Sequence, residues 1–169
     1  MKSIKNLAFT AFLTIGTLGT AMLASCNSDE CKDVVCQNGG TCVGGNCVCP
    51  SGYEGVNCET ESAAKYVGSW TAADKEEGSA IPSYTATITK NTVTVLNIGE
   101  FSNGFFDNDV QATLNGTTLS IASQEPDNDG YSVSGNATYT AGTPATIEWT
   151  YKLTDPSNDV LNYTGTWTK

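Results

Sequence analysis

Thr146-Ile147-Glu148-Trp149-Thr150-Tyr151-Lys152-Leu153 alternates large apolar residues with threonine and charge at every step. Side chains of an extended chain point to opposite faces in turn, so this stretch buries one face and wets the other as a β-strand. Tyr84, Ala86 and Ile88 set against Thr85, Thr87 and Thr89 read the same way. Working outward predicts eight strands, near 66–72, 83–89, 92–98, 108–114, 117–123, 131–140, 145–154 and 160–168. Turn-forming runs separate them: Lys90-Asn91, Asn115-Gly116, Asp127-Asn128-Asp129-Gly130, Gly142-Thr143-Pro144 and Asp155-Pro156-Ser157-Asn158-Asp159. No stretch shows helical periodicity, and such short links join antiparallel neighbours. The fold class is all-β, an antiparallel eight-stranded meander.

A meander leaves two bare edges unless it closes into a barrel. A two-sheet β-sandwich is the alternative architecture. The predicted inward set is Tyr66, Trp70, Tyr84, Ile88, Val93, Val95, Leu114, Leu119, Ile121, Val133, Tyr139, Ile147, Trp149, Tyr151, Leu161, Tyr163 and Trp167. Gly68-Ser69-Trp70 resembles the Gly-x-Trp signature of lipocalin-like (calycin) barrels. That resemblance implies pairing of the first strand with the last, here 161–169, with Trp167 facing inward. It also implies a late-strand Arg stacked on the Trp. This chain has no Arg, so other contacts must close that end.

An eight-stranded barrel is either filled by side chains or holds one small ligand. Three Trp and several Tyr on short strands point to a filled interior. If a mouth is open instead, Trp70, Tyr84, Trp149, Tyr151 and Tyr163 are the candidate ligand contacts, since such rings suit sugars or flat apolar molecules. Phe101, Phe105 and Phe106, around Gly104, either fold back over the core or form an exposed contact patch.

Upstream, Cys31, Cys36, Cys42, Cys47, Cys49 and Cys58 lie within one short segment that has almost no aliphatic residues beyond Val. Such density in an exported chain argues for three disulfides, and counting alone leaves the pairing open. Each bridge over a loop of this size stabilises by on the order of 3 kcal/mol, in place of a core. The run Cys36-Gln37-Asn38-Gly39-Gly40-Thr41-Cys42, followed by Cys47-Val48-Cys49-Pro50-Ser51-Gly52-Tyr53-Glu54-Gly55 and Cys58, resembles an EGF-like module over 31–58. The resemblance implies the pairs Cys31–Cys42, Cys36–Cys47 and Cys49–Cys58. It fits the plain form, not the calcium-binding one, because Val43-Gly44-Gly45-Asn46 is too short for the usual ligand positions. Residues 59–65, Glu59-Thr60-Glu61-Ser62-Ala63-Ala64-Lys65, read as a polar linker, and 66–169 as the β domain.

The chain begins with a short positive segment, then an apolar run to about Leu23, which predicts an export signal over 1–25. Leu23-Ala24-Ser25-Cys26 resembles a bacterial lipobox, which implies diacylglycerol on Cys26 and an acidic tether over 26–30. Acyl chains anchor without spanning. The expected location is the bacterial outer membrane, lipid-anchored, with the cell-surface side open as an alternative.

The charge narrows the function classes. The whole chain carries −10; removing Lys2 and Lys5 with the signal leaves six Lys against 18 acids, 6 − 18 = −12. A polyanion without Arg is a poor nucleic-acid binder. Without His, the Ser-His-Asp and Cys-His catalytic arrangements and three-His zinc sites are excluded. The acids are expected in turns and on outer faces, so no paired-carboxylate site is predicted. Glu125-Pro126-Asp127-Asn128-Asp129-Gly130 spaces acids as an EF-hand loop does, but Asn136 stands where the bidentate Glu belongs. Asp127 and Asp129 are thus weak metal candidates, and no cofactor is expected. The function predicted is a non-catalytic, lipid-anchored envelope binding protein with a protein or glycan partner. A carrier of a small apolar or sugar-like ligand is the alternative.

Overall fold

The computed structural model describes residues 30–169. The expected export signal, the acylated Cys26 and nearly all of the acidic tether lie outside the described residues.

Two small antiparallel pairs make up the N-terminal module. Strand β1 (Thr41–Val43) pairs with β2 (Asn46–Val48), and β3 (Tyr53–Glu54) with β4 (Thr60–Glu61). Gly44 and Gly45 form the turn of the first hairpin at φ of 56° and 78°, left-handed angles that glycine adopts without strain. Disulfides join Cys31 to Cys42, Cys36 to Cys47 and Cys49 to Cys58. Of residues 31–58 only Cys58 is fully buried, so cross-links stand in for a core.

The segment read as a linker is structured instead. Its first residues form β4, and Ser62–Lys65 make a 3-10 turn that buries Ser62 and Ala63. Their small side chains fit beneath the β domain, which a composition reading takes for looseness. Ser62 N–H donates to the Gly52 carbonyl at 2.8 Å. Gly52 itself lies so near Val93 that a β-carbon there would meet the Val93 carbonyl at 2.9 Å. The module is seated against one end of the β domain.

That domain runs through β5 (Gly68–Glu76), β6 (Ser79–Ala80), β7 (Tyr84–Lys90), β8 (Val95–Gly99), β9 (Val110–Asn115), β10 (Thr118–Gln124), β11 (Ser132–Thr140), β12 (Thr146–Thr154) and β13 (Val160–Thr168). Eight of these form an antiparallel meander, with β6 a short hairpin partner of β5. β13 pairs with β12 and also with β5, from Thr168 opposite Thr71 to Tyr163 opposite Glu76, which closes the sheet into a barrel. A single closed sheet replaces the sandwich alternative.

Trp70, Trp149 and Trp167 are each buried inside, with Ile88, Leu96, Ile98, Leu119 and Ile147 around them. The strand expected near 92–98 enters in the opposite phase. Thr92 Oγ1 accepts the Val95 N–H at 3.0 Å, and Asn91 and Thr92 donate to the Val95 carbonyl, so a turn occupies Asn91 to Thr94. β8 therefore starts at Val95 and buries Leu96 and Ile98, not Val93 and Val95, because a one-residue shift exchanges the two faces. Leu161 also departs from expectation: it sits at the barrel rim and is 43% exposed.

β5 runs four residues beyond its predicted end, and this overturns the placing of all acids on turns and outer faces. Trp70, Ala72 and Asp74 share the inward face, and Asp74 is buried.

The links β7–β8, β9–β10 and β11–β12 turn at the end that meets the module. There Tyr66, Trp70 and Tyr139 pack together, with the Tyr66 and Tyr139 rings 5.1 Å apart. Lys169 Nζ lies 5.5 Å over the Trp70 ring and donates to the Val67 carbonyl. A lysine thus closes this end in a chain without arginine.

Candidate functional site

The opposite end is built by the links after β5, β8, β10 and β12. Just beneath it, the Asp74 carboxyl accepts three hydrogen bonds: from Trp167 Nε1–H at 2.8 Å, Tyr84 O–H at 2.6 Å and Tyr151 O–H at 2.7 Å. Three donors on one carboxyl supply what burial from water takes away. Gly165 is its neighbour across the β5–β13 pairing, and a β-carbon there would come within 2.0 Å of Asp74 Oδ1. Burial first, then Asp74, raises the Tyr84 and Tyr151 hydroxyls above the ordinary phenol range. Tyr163 donates to Glu76 Oε2 at 2.9 Å, and burial with this bond pushes its hydroxyl up to about 12. Asp74 is 1% exposed with both oxygens engaged, so it clamps wall to wall and offers nothing to solvent.

Above this clamp the β8–β9 link folds inward as a plug. Phe101 is buried, its ring 4.7 Å from Tyr151, 5.5 Å from Trp149 and 5.7 Å from Trp167. Glu100, Ser102 and Asn103 take left-handed φ of 58°, 54° and 60° to aim it there. Each such residue costs roughly 1–2 kcal/mol. Offsetting that cost are the burial of Phe101 and a contact of 3.2 Å between Ser102 Oγ and the Tyr151 hydroxyl. Of the three Phe, Phe101 and Phe106 fold over the core while Phe105 stays 46% exposed. The loop therefore folds two rings back over the core and leaves one exposed.

Around Phe105 lies a recess of about 340 Å³ lined by Phe105, Tyr131, Leu153, Asp155, Asp159 and Leu161. The Phe105 ring packs edge-on to Phe106 at 4.9 Å and Tyr131 at 5.4 Å. Exposed Val160 and Leu161 extend the apolar surface. Asp127 ties the rim together, accepting the backbone N–H groups of Asp107 and Asn108 and the Asn108 side-chain amide at 2.9–3.0 Å. Desolvation opposes ionisation of Asp127, and these three bonds outweigh it, holding the carboxyl below its usual range. Asp129 Oδ1 accepts the Tyr131 N–H, and Asp155 Oδ1 those of Ser157 and Asp159. The weak metal candidates Asp127 and Asp129 are thus turned toward backbone donors. Among the described residues no three acids or cysteines converge on one point.

None of the five predicted ligand contacts lines this recess. Trp70 is at the module end, Tyr84 and Tyr151 hold Asp74, Trp149 backs Phe101, and Tyr163 stacks on Tyr151 at 4.8 Å. Trp149 Nε1 is buried without a hydrogen-bond partner. A second, shallower hollow of about 290 Å³ lies on the outer wall across β10–β13, bordered by Ser120, Asn136, Thr150 and Lys152. Of the recess lining, the sequence singled out Phe105, through the Phe loop, but not Tyr131, and it placed Leu161 inside the barrel.

No curated protein sequence matches the chain. Among solved structures it is similar to a structural-genomics protein of unknown function from Bacteroides ovatus, with 11% identity and a TM-score of 0.43 over 60% of this chain. The chain spans 40% of that protein's length. It is also similar to a redesigned β-barrel, at 16% identity and a TM-score of 0.42, over 64% of this chain and 94% of that one. Residues 26–58 match the EGF-like domain family.

Proposed function

We propose that this is a bacterial lipoprotein of the outer membrane, a non-catalytic binding protein whose lipocalin-like head recognises a partner through its open end. The single observation that carries the reading is the filled interior: Phe101 closes on Trp149 and Trp167, while Phe105, Tyr131 and Leu161 stay exposed around the recess at the open rim. With the interior full, recognition falls to the outside. The Leu23-Ala24-Ser25-Cys26 tetrad supports acylation at Cys26, and the module against the far end of the barrel supports its role as a spacer. The partner is a protein or a glycan. A carrier of a small ligand is the second reading, favoured only by the unpartnered Trp149 Nε1.

The test is binding of the purified, labelled full chain to immobilised protein and glycan arrays, with native mass spectrometry of the same preparation. Array binding from a protein that carries no small molecule supports recognition by the surface. A stoichiometric co-purified lipid or sugar overturns it in favour of the carrier. Mass analysis of Cys26 tests the acylation separately.

A further inference from the structure

We infer that the open end of the barrel is a docking surface for a cationic, amphipathic protein segment. One apolar side chain enters the recess between Phe105 and Leu161, and flanking Lys or Arg side chains meet the rim carboxylates. The inference rests on the reading of the β domain as a recognition head, and names the partner class of its open end.

Two independent features of that end meet in it. The first is apolar: Phe105, Tyr131 and Leu161 are each more than a third exposed yet line one recess together with buried Leu153. Single exposed apolar residues are ordinary, but three around one concavity make a contact site. The second is electrostatic. The four links at this end, 77–83, 100–109, 125–131 and 155–159, hold one, three, three and two acids, nine of the chain's 18, and no Lys. Lys65, Lys90 and Lys169 gather at the module end, where Lys65–Glu54 and Lys90–Glu61 form the two ion pairs seen among the described residues. Lys75 and Lys152 lie on strands β5 and β12 below the rim. The links that surround the apolar recess are thus acidic throughout.

The spread of those acids decides the occupant. They do not converge, as a bound cation requires, but are dispersed over four links around the recess. A segment carrying several positive side chains matches that spacing, and the field of the acidic links speeds its approach. Burial of one apolar anchor with a rim of exposed charge is how protein surfaces divide affinity from orientation.

The experiment uses the full chain in a neutral detergent. Its probe is a fluorescent synthetic peptide of alternating Lys residues with one central Trp, followed by anisotropy at rising salt. Binding that weakens steeply with salt is expected. The pair Phe105→Ser and Leu161→Ser weakens it about tenfold, a typical anchor loss. Asp155→Asn with Asp159→Asn weakens it severalfold and flattens the salt dependence. All four positions lie at the exposed rim, and a thermal melt of each variant checks that the fold persists. No binding at low salt overturns the proposal. So does equal binding of a peptide with Ser for Trp, or indifference to the Phe105 and Leu161 changes, since either reduces the contact to bare charge attraction. The same variants go onto the protein and glycan arrays. An array partner that they bind unchanged sinks this site while the recognition reading stands; arrays on which the parent chain binds nothing sink that reading too.

Discussion

Asp74 Oδ1 accepts the indole N–H of Trp167 at 2.8 Å, joining residues 93 positions apart across the pairing of the first and last barrel strands. The same carboxyl receives Tyr84 and Tyr151, so one side chain connects β5, β7, β12 and β13. Asp74→Ala leaves three donors without their acceptor and is expected to cost roughly 3 kcal/mol in urea unfolding. Gly165→Ala drives a methyl into Asp74 and costs about 2 kcal/mol. In the double variant the Gly165 penalty shrinks, with a coupling of about 1 kcal/mol or more. Strict additivity would show that the two sites do not share the space described.

Phe101 and Phe105 stand four residues apart in one loop with opposite surroundings. Phe101→Ala empties space among Trp149, Tyr151 and Trp167 and is expected to cost about 3–5 kcal/mol. Phe105→Ala is expected to change stability by no more than about 0.5 kcal/mol. Similar melting temperatures for the two variants contradict the plug.

Alkaline pH loosens the barrel through its tyrosines. Unfolded phenols ionise near pH ~10, whereas Tyr163 is pushed up to about 12 and Tyr84 and Tyr151 beyond the ordinary range. A folded value above the unfolded one means stability that is complete below about pH 10 and is lost as pH rises through about 12. Unfolding in that window is expected to coincide with the rise of tyrosinate absorbance. Ionisation of these three hydroxyls near pH ~10 in a still-folded protein contradicts their burial.

Reduction separates the two parts. The three disulfides all lie between Cys31 and Cys58, and the barrel strands contain no cysteine. Dithiothreitol is expected to unfold the module, which loses on the order of 3 kcal/mol per bridge, while near-ultraviolet circular dichroism of the Trp residues persists. Collapse of both signals together would mean that the barrel depends on the module for its own stability.

The strands were legible because period-two patterning is strong wherever one face is wet, as at 146–154. The module was legible because six cysteines at such spacing leave little else to build. Pattern fails where it changes phase. Val93-Thr94-Val95-Leu96-Asn97-Ile98 offers apolar residues in either of two frames, and the turn at Asn91 to Thr94 with the pairing to β7 and β9 selects one. Asp74 was hidden for a different reason: its charge reads as solvent-facing until the partners from β7, β12 and β13 are present, and those are distant in sequence. The Phe loop could be weighed only as a whole, since its left-handed residues send neighbouring rings to opposite sides.

Pairing of β5 with β13 also sets an order of events. The seam that Asp74 and Trp167 complete cannot form until the last strand of the domain is in place, and the neighbouring hairpins wait for it as an open ribbon. The domain is therefore slow to lock, and until β13 docks on β5 its sheet keeps two unpaired margins.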